Sequence, residues 1–311
     1  MSFAFSDCDG FSELLRHEDA EIIQTRPGKF SNSLLLAPLE TTQLRYGVRT
    51  TPWIANASGY AGQISLLLDL HYRQPVLING FQKDGARSLT LYGGTAEHHS
   101  VVDEPGEYAF IPFSIAQIEA AAQAVQMSGL PVRNGDCALL TPGSTHFSHL
   151  CQTVEAVRRL AEQDPEAFRS QEARSSMERA LTTALSLALA SCEKPRPPVH
   201  AAERARILRR AREYLRDRAH QPVYMLELCA AVGTPERTLR DVFLRHLGMS
   251  PMRYLKLRRL KEARAMLKHH DPAAISVKAA ALGTGFWDLG RFAVDYKSLF
   301  GESPSATLMA R

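Results

Sequence analysis

The sequence predicts an α+β protein in two parts: an N-terminal antiparallel β-sheet, barrel-like and carrying helices, and an all-α C-terminal part with two helix-turn-helix units joined by a linker helix. Three observations predict it. The first is a break at residues 191–202, SCEKPRPPVHAA, where Pro195, Pro197 and Pro198 follow a helical pattern and read as a semi-rigid linker. The second is charge. Residues 200–311 hold 21 Lys and Arg against 11 Asp and Glu, a net of +10, while the rest of the chain nets −6. The third is an internal repeat confined to the basic part. At 311 residues, 45% hydrophobic and 23% charged, the chain is long enough for about two cores and too apolar for disorder. The expected division is 1–190, the linker at 191–202, and a basic module at 203–311.

In the first part, apolar stretches at 33–39, 44–50, 64–72, 76–81, 88–92, 107–112 and 137–140 are separated by turn-rich pieces at 59–62, 79–80 and 92–94. That spacing suits an antiparallel sheet folded on itself. Helical periodicity then covers 115–127, 145–162 and 165–190. In the last of these, Met177, Ala180, Leu181, Ala184, Leu185, Ala188 and Leu189 form one apolar stripe, which either packs onto the sheet or pairs across a two-fold axis.

The repeat defines the second part. AAVGT at 230–234 recurs as AALGT at 280–284; farther on, Leu239, Phe243, Leu247, Gly248, Ser250 and Pro251 match Phe292, Tyr296, Phe300, Gly301, Ser303 and Pro304. The first offset is 50 and the second 53, so three extra residues lie in the turn of the second copy. Each copy reads as a short helix, a glycine turn and a second amphipathic helix, placing the two units at about 223–247 and 275–300. In the first copy Leu239, Val242, Phe243 and Leu247 form the buried stripe, opposite Arg237, Arg240, Asp241, Leu244 and Arg245. Arginines on a helix able to enter the major groove suit the acceptor edge of guanine. In the second copy Asp288 is placed to cap a helix whose outer face is Leu289, Gly290, Arg291, Val294, Asp295 and Lys297. Ser250-Pro251 starts a helix over 251–269 carrying Arg253, Lys256, Arg258, Arg259, Lys261, Arg264 and Lys268. At roughly 27 Å it approaches the ~34 Å between successive major grooves on one duplex face. For that helix alone, a solvated surface is the alternative.

Other chemistry has little support. Cys8, Cys137, Cys151, Cys192 and Cys229 are odd in number with no Cys-x-x-Cys pair, which suits a reducing cytoplasm and buried structural thiols. Glu97, His98, His99, His146 and His149 invite a metal reading, but adjacent histidines on a strand point to opposite faces, so none is expected. No nucleophile elbow, phosphate-binding loop or dinucleotide fingerprint is present. No leader or membrane span is expected, and no cofactor. Tyr60, Tyr72, Phe81, Tyr92, Tyr108 and Phe110 on the sheet read mainly as core, with some lining a small-molecule pocket.

The sequence RLKEARAML from Arg259 to Leu267, VKAAALGTGF from Val277 to Phe286, and the spacing of Phe292, Tyr296, Gly301, Ser303 and Pro304 resemble the C-terminal signature of the AraC/XylS family of bacterial transcription regulators. LGRFAVDYKSLFGESPSATL, from Leu289 to Leu308, is most similar to the XylS-like branch. The resemblance covers about 105 residues; residues 1–190 share only the layout of the family's sensor half. It implies a DNA-binding regulator, usually an activator, whose two recognition helices enter adjacent major grooves of promoter DNA. It also implies a sensor half that binds a small-molecule effector and carries a homodimer contact, with RNA polymerase as a partner. Carried over by position, the DNA-binding residues are Arg237, Thr238, Arg240, Asp241 and Arg245 in the first unit and Gly290, Arg291, Val294 and Lys297 in the second. The candidate effector-binding residues come from the sheet aromatics and not from the resemblance: Tyr72, Phe81, Tyr92 and Tyr108. Gly290 and Val294 bring no side-chain hydrogen bonds, so base discrimination is expected mainly from the first unit. One alternative is a ligand-independent regulator whose first part serves only dimerisation or docking. An enzyme alternative, a DNA-repair methyltransferase with such a module, requires a zinc-bound cysteine cluster and a reactive Pro-Cys-His-type site, neither of which is present.

Overall fold

The structure is a computed structural model that describes residues 1–15, 20–59, 61–71, 76–83, 87–127, 129–192, 201–269 and 275–310. The chain begins with β1 (Ser2–Phe5), α1 (Cys8–Leu14), β2 (Glu21–Gln24), β3 (Asn32–Pro38), β4 (Gln43–Arg49), β5 (Trp53–Ser58) and β6 (Gln63–His71). Next come β7 (Val76–Ile78), β8 (Phe81–Lys83), β9 (Leu89–Gly93), β10 (Glu97–Val102), β11 (Gly106–Ser114), α2 (Ile115–Ala124), β12 (Cys137–Leu140), α3 (Ser144–Gln163) and α4 (Gln171–Ala190). The C-terminal part holds α5 (Ala201–Asp217), α6 (Met225–Val232), α7 (Glu236–Leu247), α8 (Pro251–His269), α9 (Val277–Gly283), α10 (Leu289–Phe300) and α11 (Pro304–Met309).

Two antiparallel sheets face each other. One has seven strands in the order β1-β3-β4-β11-β6-β9-β12, the other five in the order β2-β5-β10-β7-β8. Because successive side chains on a strand alternate between faces, parity sorts each strand into layers. On the seven-stranded sheet Leu44, Tyr46, Ile64, Leu66, Leu68, Ala109, Ile111 and Phe113 pack outward against α2, α3 and α4. Leu34 and Leu67 turn inward and meet Ile22, Trp53, Ala55, Val76, Ile78 and Val102 of the five-stranded sheet. The opposite face of that second sheet presents Ile23, Ile54 and Val101, and these join the core of the helical part. The order of layers is therefore helices, seven strands, inner core, five strands, helical module.

The stripe on α4 serves the packing role: Leu181, Ala184, Leu185, Ala188 and Leu189 are buried in the outer core, while Ala180 is exposed. Helix 165–190 divides, because Pro165–Arg169 forms a 3-10 turn and Ser170 restarts the helix by accepting from the Ala173 amide. Helix 115–127 stops at Ala124, and Gln126 follows in left-handed conformation (φ 57°). The linker prolines lie outside the described residues, and Ala201 and Ala202, read as linker, begin α5. Strands β1, β2 and β5 and helix α1 were not expected.

Both helix-turn-helix units form. Twelve-residue helices α7 and α10 stand at an offset of 53. Gly233 (φ 70°) ends α6 in left-handed conformation, whereas α9 runs one residue farther and Gly285 (φ 80°) makes the turn. The three extra residues are thus one in the helix and two in the turn. Asp288 caps α10 through the Arg291 amide at 2.9 Å.

Candidate nucleic-acid interface and inter-sheet cavity

Burial of Leu239, Val242, Phe243 and Leu247 fixes which side of α7 faces out. Arg237, Thr238, Arg240, Leu244 and Arg245 are exposed and Asp241 is half-buried. Two of the arginines are held by acids one turn earlier: Glu236 accepts from Arg240 at 2.7 Å and Asp241 from Arg245 at 2.8 Å. Both pairs are solvent-exposed, so exchanging the carboxylate for a base edge or phosphate costs little. On α10, burial of Phe292, Tyr296, Leu299 and Phe300 leaves Gly290, Arg291, Val294 and Lys297 exposed, with Trp287 just before the helix. Asp295 turns toward α8 and pairs with Lys256 at 2.6 Å. The second face is therefore more apolar than the first.

The basic helix α8 departs from expectation. Arg258 donates to Glu21 at 2.8 Å and pairs with Glu262; Lys261 faces Asp9, Arg264 pairs with Glu302, and Lys268 donates to Asp7 at 2.7 Å. Arg259 donates to the carbonyl of Ala219 at 2.7 Å and to that of Gln221. Arg258 and Arg259 are both engaged within the chain, as is most of this helix's charge. Arg253 remains exposed.

Between the two sheets lies a cavity of about 110 Å³. Its walls include Phe11, Trp53, Leu67, Val76, Tyr108 and Phe110. An apolar space of ~150 Å³ holds benzene, so this one has the scale of a small ring. Arg49 and Asp69, from neighbouring parts of the seven-stranded sheet, form an ion pair at 3.0 Å with side chains only 3% and 2% exposed. The Arg49 guanidinium lies 5.5 Å from the Tyr108 ring centre, and its buried Nε has no hydrogen-bond partner among the described residues. Tyr92 Oη shares a hydrogen bond with His98 Nδ1 at 2.5 Å, and His98 Nε2 with Ser100 Oγ at 2.9 Å. Burial, aided by His99, lowers the His98 pKa to about 3, so this imidazole is neutral across the physiological range.

Tyr92 and Tyr108 line the cavity. Phe81 does not, because it lies on β8, the strand at the far edge of its sheet; Tyr72 lies outside the described residues. Arg49, Asp69, Trp53 and His98 were missed. The visible signal was Arg45 and Arg49 sharing the parity of one strand face. His98 and His99 do face opposite sides, His99 bonding Asn56 and Glu97. Among the described residues no group of three or more His, Cys, Asp or Glu is placed to hold a metal. Burial pushes the Cys8 and Cys137 thiols up to about 12, away from thiolate reactivity. No helix among the described residues is long and apolar enough to cross a membrane.

Gly47 sits against Tyr108 so closely that a Cβ there would overlap the phenol ring. Gly47→Ala is therefore expected to push that ring into the cavity at a stability cost of ~1–3 kcal/mol. Thermal unfolding together with ligand titration checks this; an unaltered melting temperature and cavity would contradict it.

A family model described as a helix-turn-helix domain matches residues 228–310. The chain is 42% identical over 102 residues to the "Probable thc operon regulatory protein" of Rhodococcus erythropolis, covering 33% of this chain and 31% of that protein. It is 35% identical over 99 residues to XylDLEGF operon transcriptional activator 3 of Pseudomonas putida, covering 32% and 30%. These matches span about a third of the length of either curated relative. A solved structure described as a probable AraC family transcriptional regulator from Rhodopseudomonas palustris is 39% identical, covering 33% of this chain and 95% of that one, with a TM-score of 0.31.

Proposed function

Through residues 228–310 this chain belongs to the AraC/XylS family of helix-turn-helix regulators, and on that premise we propose that it is a sequence-specific DNA-binding transcription regulator controlled by a small effector in the cavity. The observation that carries the DNA reading is the pair of equivalent helices, α7 and α10, each buried on one side and open on the other. On this reading Arg237 and Arg240 read base edges, Thr238, Arg245 and Lys297 contact the backbone, and Gly290, Arg291 and Val294 let α10 lie close in the second groove. Asp241 orients Arg245 and does not touch phosphate. Activation is the direction the relatives' names carry, which makes RNA polymerase the partner. A homodimer contact belongs elsewhere than the α4 stripe, which this chain covers itself.

The apolar cavity between the sheets favours the effector-controlled reading over the ligand-independent one. A ring-sized molecule with one hydrogen-bond acceptor would fill it and satisfy Arg49 Nε. Thermal-shift measurements of the full chain against small aromatic and aliphatic metabolites should find compounds that raise the melting temperature, since binding to the native state stabilises by mass action. The same compounds should give no shift with Gly47→Ala. Hits that shift both proteins equally would place the ligand outside this cavity.

A further inference from the structure

The five-stranded sheet separates the cavity from the helical module by a single layer, and its outer face grips that module at an unusual set of places. The Glu21 carboxylate, on β2, accepts from Arg258 Nε at 2.8 Å and Tyr254 Oη at 2.9 Å on α8, lies 3.7 Å from Arg212 on α5, and accepts from Asn56 at 3.3 Å. Burial alone would raise its pKa, but Arg258 and Arg212 hold it below the usual carboxylate range. At the C-terminal end of α7, His246 packs on Gly80 so tightly that a Cβ there would stand 2.8 Å from the ring. At the C-terminal end of α10, the Leu299 carbonyl accepts from the Gly28 amide at 3.2 Å and Gln24 Nε2 at 3.1 Å. Asp7, the N-cap of α1, accepts from Lys268 near the end of α8 at 2.7 Å.

The sensor part thus touches both recognition helices at their ends and the helix joining them along its length, while Arg237, Arg240, Arg291 and Val294 stay open to solvent. A domain that silenced the module by covering it would bury those side chains. We propose instead that the docked sensor part is a brace: it fixes the position of α7 relative to α10, and Glu21 is the positioning residue at its centre. The inference rests on the DNA-binding reading. Two half-sites are engaged together only when their readers are held at the matching separation, and a loosened pair loses that gain without losing either single contact.

The test uses the full chain. Duplexes are first selected from a random library with the unaltered protein. Affinity is then measured at one salt concentration on the selected duplex, on the same duplex with the half-site read by α10 scrambled, and on one with a base pair inserted between half-sites. Glu21→Gln is expected to weaken binding to the intact duplex roughly tenfold, to leave the single half-site within about twofold, and to flatten the penalty for the inserted base pair. Lys268→Gln, which removes a partly exposed pair and leaves the fold undisturbed, should move the same readings in the same direction by less. Tighter binding by either variant would show a restraining latch and overturn the brace, as would equal loss on all three duplexes or no change on any. If the unaltered protein enriches no sequence, the DNA-binding reading fails first and the brace with it.

Discussion

Asp69→Ala is expected to destabilise the N-terminal part by ~3–5 kcal/mol, because it leaves the desolvated Arg49 guanidinium without the carboxylate it pairs with. The pair is 3.0 Å apart and both side chains are essentially out of water. Among the described residues the buried Arg49 Nε already has no hydrogen-bond partner, so losing Asp69 would add to an existing deficit. The companion experiment replaces both residues, Arg49→Met with Asp69→Leu. That combination should recover most of the lost stability, since well-packed apolar side chains replace a buried ion pair at little or no cost. Denaturant midpoints of the single and double variants measure the difference. A cost below ~1 kcal/mol for Asp69→Ala would mean that water reaches the pair and would contradict its burial.

DNA affinity should fall by about 10³ between 50 and 200 mM salt, with log K against log salt near −5, the slope for five or six neutralised phosphates. The +10 of residues 200–311 suggests a steeper dependence. It overstates the footprint, because Lys256, Arg258, Lys261, Arg264 and Lys268 all have acidic partners within the chain. Arginines and lysines so engaged release no counterions on binding unless their pairs break. A slope near −9 would show that α8 surrenders those pairs to the backbone, and a flat line would remove phosphate contact altogether.

The helical module was legible almost residue by residue, and the reason is physical: each unit buries one stripe and must repeat it to build one core. The offsets of 50 and 53 located α7 and α10, and Asp288, Ser250 and Ser303 marked helix starts by their capping chemistry. The N-terminal part was half legible. Strands of the seven-stranded sheet show ordinary alternation, as in Ile64, Leu66 and Leu68. Strands β2, β5 and β10 do not, because they are covered on both faces and mix polar with apolar groups among their buried positions. In β10, His98 and Ser100 face the cavity while Glu97 and His99 face the module. Composition alone cannot distinguish such a strand from a loop. Nor could charge counting say that Arg258 and Lys268 meet Glu21 and Asp7, contacts that join residues 237 and 261 positions apart.

Selection of duplexes from a random library with the unaltered chain and with Arg240→Ala tests sequence-specific reading by α7 most directly. Two short enriched blocks about 10 base pairs apart are expected, with the stronger preference in the block read by α7 and loss of preference at one base position of that block in Arg240→Ala at a cost of ~1–3 kcal/mol. A pool with no enriched sequence, or an Arg240→Ala protein with unchanged base preference, would contradict it.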